Sequence, residues 1–87
     1  MDSGIVYLLF SLKDHKTYLG STDNLDRRMG EHNAGKTFST KNRRPLKLVY
    51  KEIFDTILEA RNRERYLKSR KGRKELRDIF ISLNIGE

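Results

Sequence analysis

Six positions in a row, Ile5-Val6-Tyr7-Leu8-Leu9-Phe10, form the first apolar run of the chain. The run is short, β-branched and aromatic, and so reads as a strand buried at the centre of a sheet. Lys13-Asp14-His15-Lys16 is a polar turn, and Thr17-Tyr18-Leu19-Gly20 returns as the second arm of an antiparallel hairpin. Ser21-Thr22-Asp23-Asn24 offers several N-caps for a helix from Leu25 to Asn33, which Ala34-Gly35 ends. A basic loop over residues 36–45 closes at the sole proline, Pro45. Leu46 to Phe54 reads as a third strand, and Asp55 or Thr56 can cap a second helix running to about Ser69. Beyond Gly72, the positions Leu76, Ile79, Phe80 and Leu83 fall at i, i+3, i+4 and i+7, one buried face of a last helix. The predicted order is β-β-α-β-α-α, an α+β fold with a three-stranded antiparallel sheet flanked by helices.

Composition narrows the partners. No repeat or linker divides the 87 residues, so a single domain over 1–87 is expected. No apolar stretch approaches the ~20 residues of a membrane span, and no signal-peptide pattern opens the chain. Without cysteine, disulfides and thiolate metal sites are excluded. A cytoplasmic protein without a membrane partner is expected. Net charge is +7, from 19 Lys and Arg against 12 Asp and Glu, which favours a polyanion, nucleic acid first. The excess is concentrated: Arg61 to Arg77 holds nine basic residues and two acids, Glu64 and Glu75.

Two helices carry a polar residue where an apolar one belongs. Relative to Leu25 on the first helix, Met29 lies at about 40°, Arg28 at about 300° and His32 at about 340°, while Arg27 points away at about 200°. Of the adjacent arginines, only Arg28 faces the sheet. Such residues ordinarily snorkel past the core edge or pair with an acid. On the second helix, Glu64 sits between Ile57 and Ala60 on the apolar stripe that Leu67 completes. A carboxylate there must be paired, protonated or bound to a cation, with Arg28 and Arg61 as the expected ionic partners. Tyr7 and Tyr18, one on each hairpin arm, are core residues by their strand positions, and the register that sets their separation stays open.

Gly4-Ile5-Val6-Tyr7, followed eleven residues after its tyrosine by Tyr18-Leu19-Gly20, resembles the paired motif of the GIY-YIG nucleases. The resemblance continues through Ser21-Thr22, Asn24-Leu25-Asp26-Arg27-Arg28 and Glu31-His32-Asn33. Thr40-Lys41-Asn42-Arg43-Arg44-Pro45 and Arg63-Glu64-Arg65-Tyr66-Leu67 are similar to the small stand-alone bacterial members. It covers roughly residues 4 to 80. Val6 lies between the Gly-Ile pair and Tyr7, and Leu19 replaces an isoleucine; both keep an apolar strand position.

The resemblance implies a metal-dependent endonuclease acting on DNA, directed by DNA structure and serving repair or recombination. It implies an active site of Tyr7, Tyr18, Arg28, His32 and Glu64, with Glu64 holding a single Mg²⁺ or Mn²⁺. Arg28 would then contact the scissile phosphate through its planar fork. Tyr7 is the candidate for activating the attacking water, Tyr18 for positioning water or phosphate, and His32 for relaying protons. The choice of base among Tyr7, Tyr18 and His32 stays open. Lys41, Arg43 and Arg44 in the loop, and Lys68, Arg70, Lys71, Arg73 and Lys74 further on, are the expected contacts to the DNA backbone. A nucleic-acid-binding module without turnover, or a subunit that a protein partner brings to its substrate, are the alternatives.

Overall fold

The computed structural model describes residues 3–84, in which β1 (Gly4–Ser11) is the middle strand of a three-stranded antiparallel sheet. It is flanked by β2 (Thr17–Thr22) and β3 (Leu46–Phe54). Helix α1 (Leu25–Asn33) follows β2, and α2 (Ile57–Lys68) and α3 (Arg73–Ser82) follow β3. The order is the predicted β-β-α-β-α-α. The structure adds local detail. The loop over 36–45 contains a 3₁₀ turn, Lys41–Arg43. Thr56 rather than Asp55 caps α2, its hydroxyl accepting from the Glu59 N–H, and the helix ends at Lys68, with Ser69 as C-cap.

Side chains alternate across a strand, so β1 divides the molecule into two packing layers. Val6 and Leu8 point to one face, where they meet Leu19, Ala60 and Leu67, with Phe54, Ile57, Leu76 and Phe80 packed around them. This is the α2/α3 face. Tyr7 and Leu9 point to the other, where they meet Leu46 and the partly buried Tyr18, Leu25, Met29 and Leu48 beside α1. A strand covered on both faces must be apolar at every position, which is why residues 5–10 form an unbroken run.

Gly4 lets α2 close down on the start of β1: a Cβ there would lie 2.5 Å from the Thr56 carbonyl oxygen and 2.6 Å from the Ile57 Cα. On the outer side of the same layer, Arg63 ties β3, α2 and α3 together. Its guanidinium donates to both Glu52 oxygens, at 2.8 and 3.1 Å, and to Glu75. The hydrogen bonds from Arg63 hold the Glu52 carboxyl below its usual range. Tyr50 donates to Glu52 at 2.5 Å, and burial together with that bond pushes its phenol up to about 12. Among the described residues, no helix is long and apolar enough to cross a membrane.

Candidate active site

The hairpin register places Tyr7 opposite Gly20 and Leu9 opposite Tyr18, which puts both tyrosines on the α1 face with ring centroids 6.4 Å apart. Gly20 is required by this packing: a Cβ at that position would stand 2.6 Å from the Tyr7 hydroxyl oxygen. The phenol therefore lies across the backbone of β2, an arrangement only glycine permits.

Asn24 starts α1 by accepting the Arg27 N–H at 3.0 Å, and that start fixes the rotation of the helix. Arg27 points outward and pairs with Asp23 on the surface. Arg28 turns toward the sheet, where its Nε donates to the Tyr7 hydroxyl at 3.3 Å and its Nη1 to Glu31 at 3.0 Å. One turn on, His32 is fully buried, its Nε2 2.9 Å from the Tyr7 hydroxyl and its Nδ1 2.7 Å from Thr40 Oγ1. The ring also meets Tyr18 edge-on, with centroids 5.3 Å apart. Arg28, Tyr7, His32 and Thr40 thus form one hydrogen-bonded line through the layer between sheet and helix.

The electrostatics of this line follow from its burial. Desolvation pushes the Tyr7 phenol above its usual value, opposed by the hydrogen bond and charge of Arg28. Desolvation pushes the His32 imidazole below its usual value, and the Arg28 charge pushes it the same way. The histidine is therefore neutral at pH 7, with one ring nitrogen a donor and the other an acceptor.

Glu64 reaches the same region from the opposite side of the sheet. Ser21 on the edge strand β2 points to the α2 side and donates to Glu64 Oε1 at 2.5 Å, while Lys68 Nζ lies 2.6 Å from Oε2. These partners replace the expected Arg28 and Arg61. Arg28 is occupied on the other face of the sheet, and Arg61 is exposed at the cavity mouth without an ion pair to Glu64 among the described residues. Glu64 lies in an open cavity of about 620 Å³ whose wall includes Ser21, Arg61, Arg65 and Lys68. An adjoining cavity of about 300 Å³ contains Arg28 and Glu31 and shares Ser21 and Arg61 with the first. The two sides of the sheet meet around the edge of β2.

A divalent cation fits this carboxylate. Glu64 retains about a fifth of its side-chain exposure, and the partner on Oε2 is a half-exposed lysine, an ion pair weak enough to be displaced. Among the described residues no group of three or more His, Cys, Asp or Glu is arranged to hold a metal. The fit is therefore to a hard ion that takes one carboxylate and completes its shell with water.

The expected backbone contacts are distributed unevenly. Lys68 is at the Glu64 cavity, and Arg70, Lys71, Arg73 and Lys74 are exposed around the α2–α3 junction. In the loop after α1, Lys41 lies over the Phe38 ring at 5.2 Å, and Arg44 donates to the Lys41 carbonyl at 2.9 Å. Arg43 has a structural role, pairing with Asp14 at 2.7 Å and donating to the Thr17 carbonyl at 3.2 Å, so that it clamps the loop to the hairpin. Ser21, Thr40, Arg61 and Arg65 enter the site without having been singled out as site residues by the sequence. By sequence Ser21 is one of several candidate caps for α1, and Thr40 is a loop residue without periodicity.

Known proteins place this geometry in context. The GIY-YIG catalytic domain family matches residues 3–77. A UPF0213 protein of Staphylococcus haemolyticus is 41% identical over 75 residues, covering 85% of this chain and 90% of that protein. A UPF0213 protein of Clostridium perfringens is 45% identical over 64 residues, covering 72% of this chain and 68% of its own length. The solution NMR structure of the UPF0213 protein BH0048 from Bacillus halodurans superposes with a TM-score of 0.51 at 34% identity, covering 88% of this chain and 84% of that one.

Proposed function

From a chain that belongs to the GIY-YIG catalytic domain family, a nuclease family, we propose a metal-dependent endonuclease that hydrolyses phosphodiester bonds in DNA. One observation carries the reading. A hydrogen-bonded line, Arg28–Tyr7–His32–Thr40, and the Glu64 carboxylate border adjoining cavities at the edge of one strand.

Arg28 is about a third exposed on the cavity side, so part of its fork is free to take two phosphate oxygens and oppose the charge that grows there. The Tyr7 oxygen accepts from Arg28 and lies against His32. A phenol, at about 10 in water and raised further here, is almost never ionised at pH 7. Tyr7 therefore acts as a relay: it takes the proton of the attacking water as its own proton passes to neutral His32. Thr40 lies 2.7 Å from Nδ1, and the tautomer in which it accepts from Nδ1–H would leave the Nε2 lone pair facing Tyr7. Glu64 would hold Mg²⁺ or Mn²⁺, which supplies positive charge to the phosphoryl and leaving oxygens. Lys68, which pairs with Glu64, would then be free for a backbone phosphate. The exposed cations on this side suit phosphates rather than base edges, consistent with choice by DNA shape and with substrates of repair or recombination.

The test is cleavage of nicked, flapped, branched and plain duplex DNA with and without Mg²⁺ or Mn²⁺, beside Glu64→Gln. Metal-dependent cutting that the substitution lowers at least about 10²-fold is expected, with little change in melting temperature. Equal cutting by both proteins, or none by either on any substrate, would remove the proposal.

A further inference from the structure

Phe38 is the most exposed large apolar side chain among the described residues, at 85% of its full accessibility. It does not sit on a floppy connection. Gly35 takes a left-handed conformation (φ +77°) that ends α1, and the Lys36 N–H returns to the Glu31 carbonyl at 3.0 Å. The Thr40 and Lys41 N–H groups both bond the Thr37 carbonyl, Arg44 bonds the Lys41 carbonyl, and Arg43 clamps the loop to Asp14. Phe38 is the tip of a loop whose backbone is tied down on both sides.

The surroundings of the ring define what it can meet. Lys36, Lys41 and Arg44 are all exposed in the same loop, and the Lys41 ammonium lies over the ring at 5.2 Å. An apolar partner enclosing the ring would also have to desolvate the Lys41 ammonium, which is costly without an anion beside it. An aromatic face among cations matches a nucleobase flanked by phosphates. The loop is also joined to the catalytic layer: Phe38 is two residues from Thr40, at most about 7 Å along the chain, and Thr40 holds His32.

We propose that Phe38 is a stacking platform for an unpaired base next to the cleaved bond, so that the enzyme selects DNA with unstacked nucleotides over continuous duplex. A base inside a duplex already has both faces covered, so only an unpaired one offers a face to the ring. Preorganisation of the loop means that little ordering is lost on binding. The inference rests on the nucleic-acid reading of the neighbouring site.

It is tested by binding rather than turnover. In a Glu64→Gln background, Phe38→Ala is compared with its parent on a single-stranded oligonucleotide carrying 2-aminopurine and on a fully paired duplex of the same length. Removing the ring should weaken the single strand roughly 5- to 150-fold and abolish the quenching of 2-aminopurine, while moving the duplex less than about twofold. Phe38→Trp should restore both signals. Unchanged affinity and quenching in Phe38→Ala, or equal losses on both probes, would overturn the platform and leave the nuclease reading standing. Failure of the parent and of the unsubstituted protein to bind either probe would overturn both.

Discussion

Adjacent residues of β1 enter different environments. Val6 and Leu8 pass into a layer built on the apolar side chains of Leu19, Ala60 and Leu67. Tyr7, between them, passes into a layer that holds a fully buried histidine and a line of hydrogen bonds to Arg28 and Thr40. Burying polar groups is costly unless each finds a partner, and here the phenol oxygen and both histidine nitrogens do. The contrast separates two jobs: the α2/α3 face holds the fold, and the α1 face holds groups in place at a cost to packing. Glu64 belongs to the first layer by its helix and by its bond to Ser21, and it nears the second only around the edge of β2, where the two cavities adjoin.

The largest effect expected on this contrast is in catalysis. Arg28→Ala should lower single-turnover cleavage by about 10²–10³-fold while melting changes little, since the arginine is a surface-accessible partner rather than a packing element. A loss of cleavage explained entirely by unfolding in circular dichroism would place Arg28 on the wrong side of the comparison. Next, Leu67→Ala should cost about 2–5 kcal/mol in denaturant unfolding, a large share of the roughly 4–13 kcal/mol held by a chain of this length. Its folded fraction should cut at the parent rate; a reduced rate at full folding would show that the two faces are coupled. The smallest effect is a pH slope. Burial holds His32 below its ordinary value of about 6.5, so the unfolded chain binds the proton more readily than the folded one. The stability contributed by the neutral, buried ring is complete above about pH 6.5 and is lost as pH falls through the lowered value. Unfolding at pH 7.5 and 5.5 should show this loss, and His32→Gln should flatten it. Glu52, also lowered, acts in a separate window, below its usual carboxylate range.

The two faces also differed in how much of them the sequence disclosed. Local periodicity was enough for the elements and for both helical orientations, because α1 and α2 are set by caps and apolar stripes within a few residues. Hence Arg28 rather than Arg27 faces the sheet, and Glu64 lies on the inner side of α2. What depended on strand register was hidden. Ser21 reaches Glu64 only because Tyr7 pairs with Gly20, and a shift of one residue would send it to the other face. The shift in register between Leu8 and Leu9 where β1 meets β3 has no local signature either. Thr40 lies in a loop without periodicity, and its bond to His32 spans eight residues of irregular chain. Arg43 reads in sequence as one more basic loop residue; Asp14, its partner, is 29 positions away.

The division between the faces is tested most directly within β1. Tyr7→Phe removes one hydroxyl from the α1 face, and Leu8→Ala removes three carbons from the neighbouring position on the other face. Single-turnover cleavage and denaturant unfolding measured on both variants should give opposite patterns. The account predicts that Tyr7→Phe loses at least about 10²-fold in rate while unfolding by no more than about 1–3 kcal/mol more easily, the cost of a buried His32 nitrogen left unpaired. Leu8→Ala should lose about 2–5 kcal/mol and keep its rate when folded. Wild-type cleavage by folded Tyr7→Phe would contradict the account.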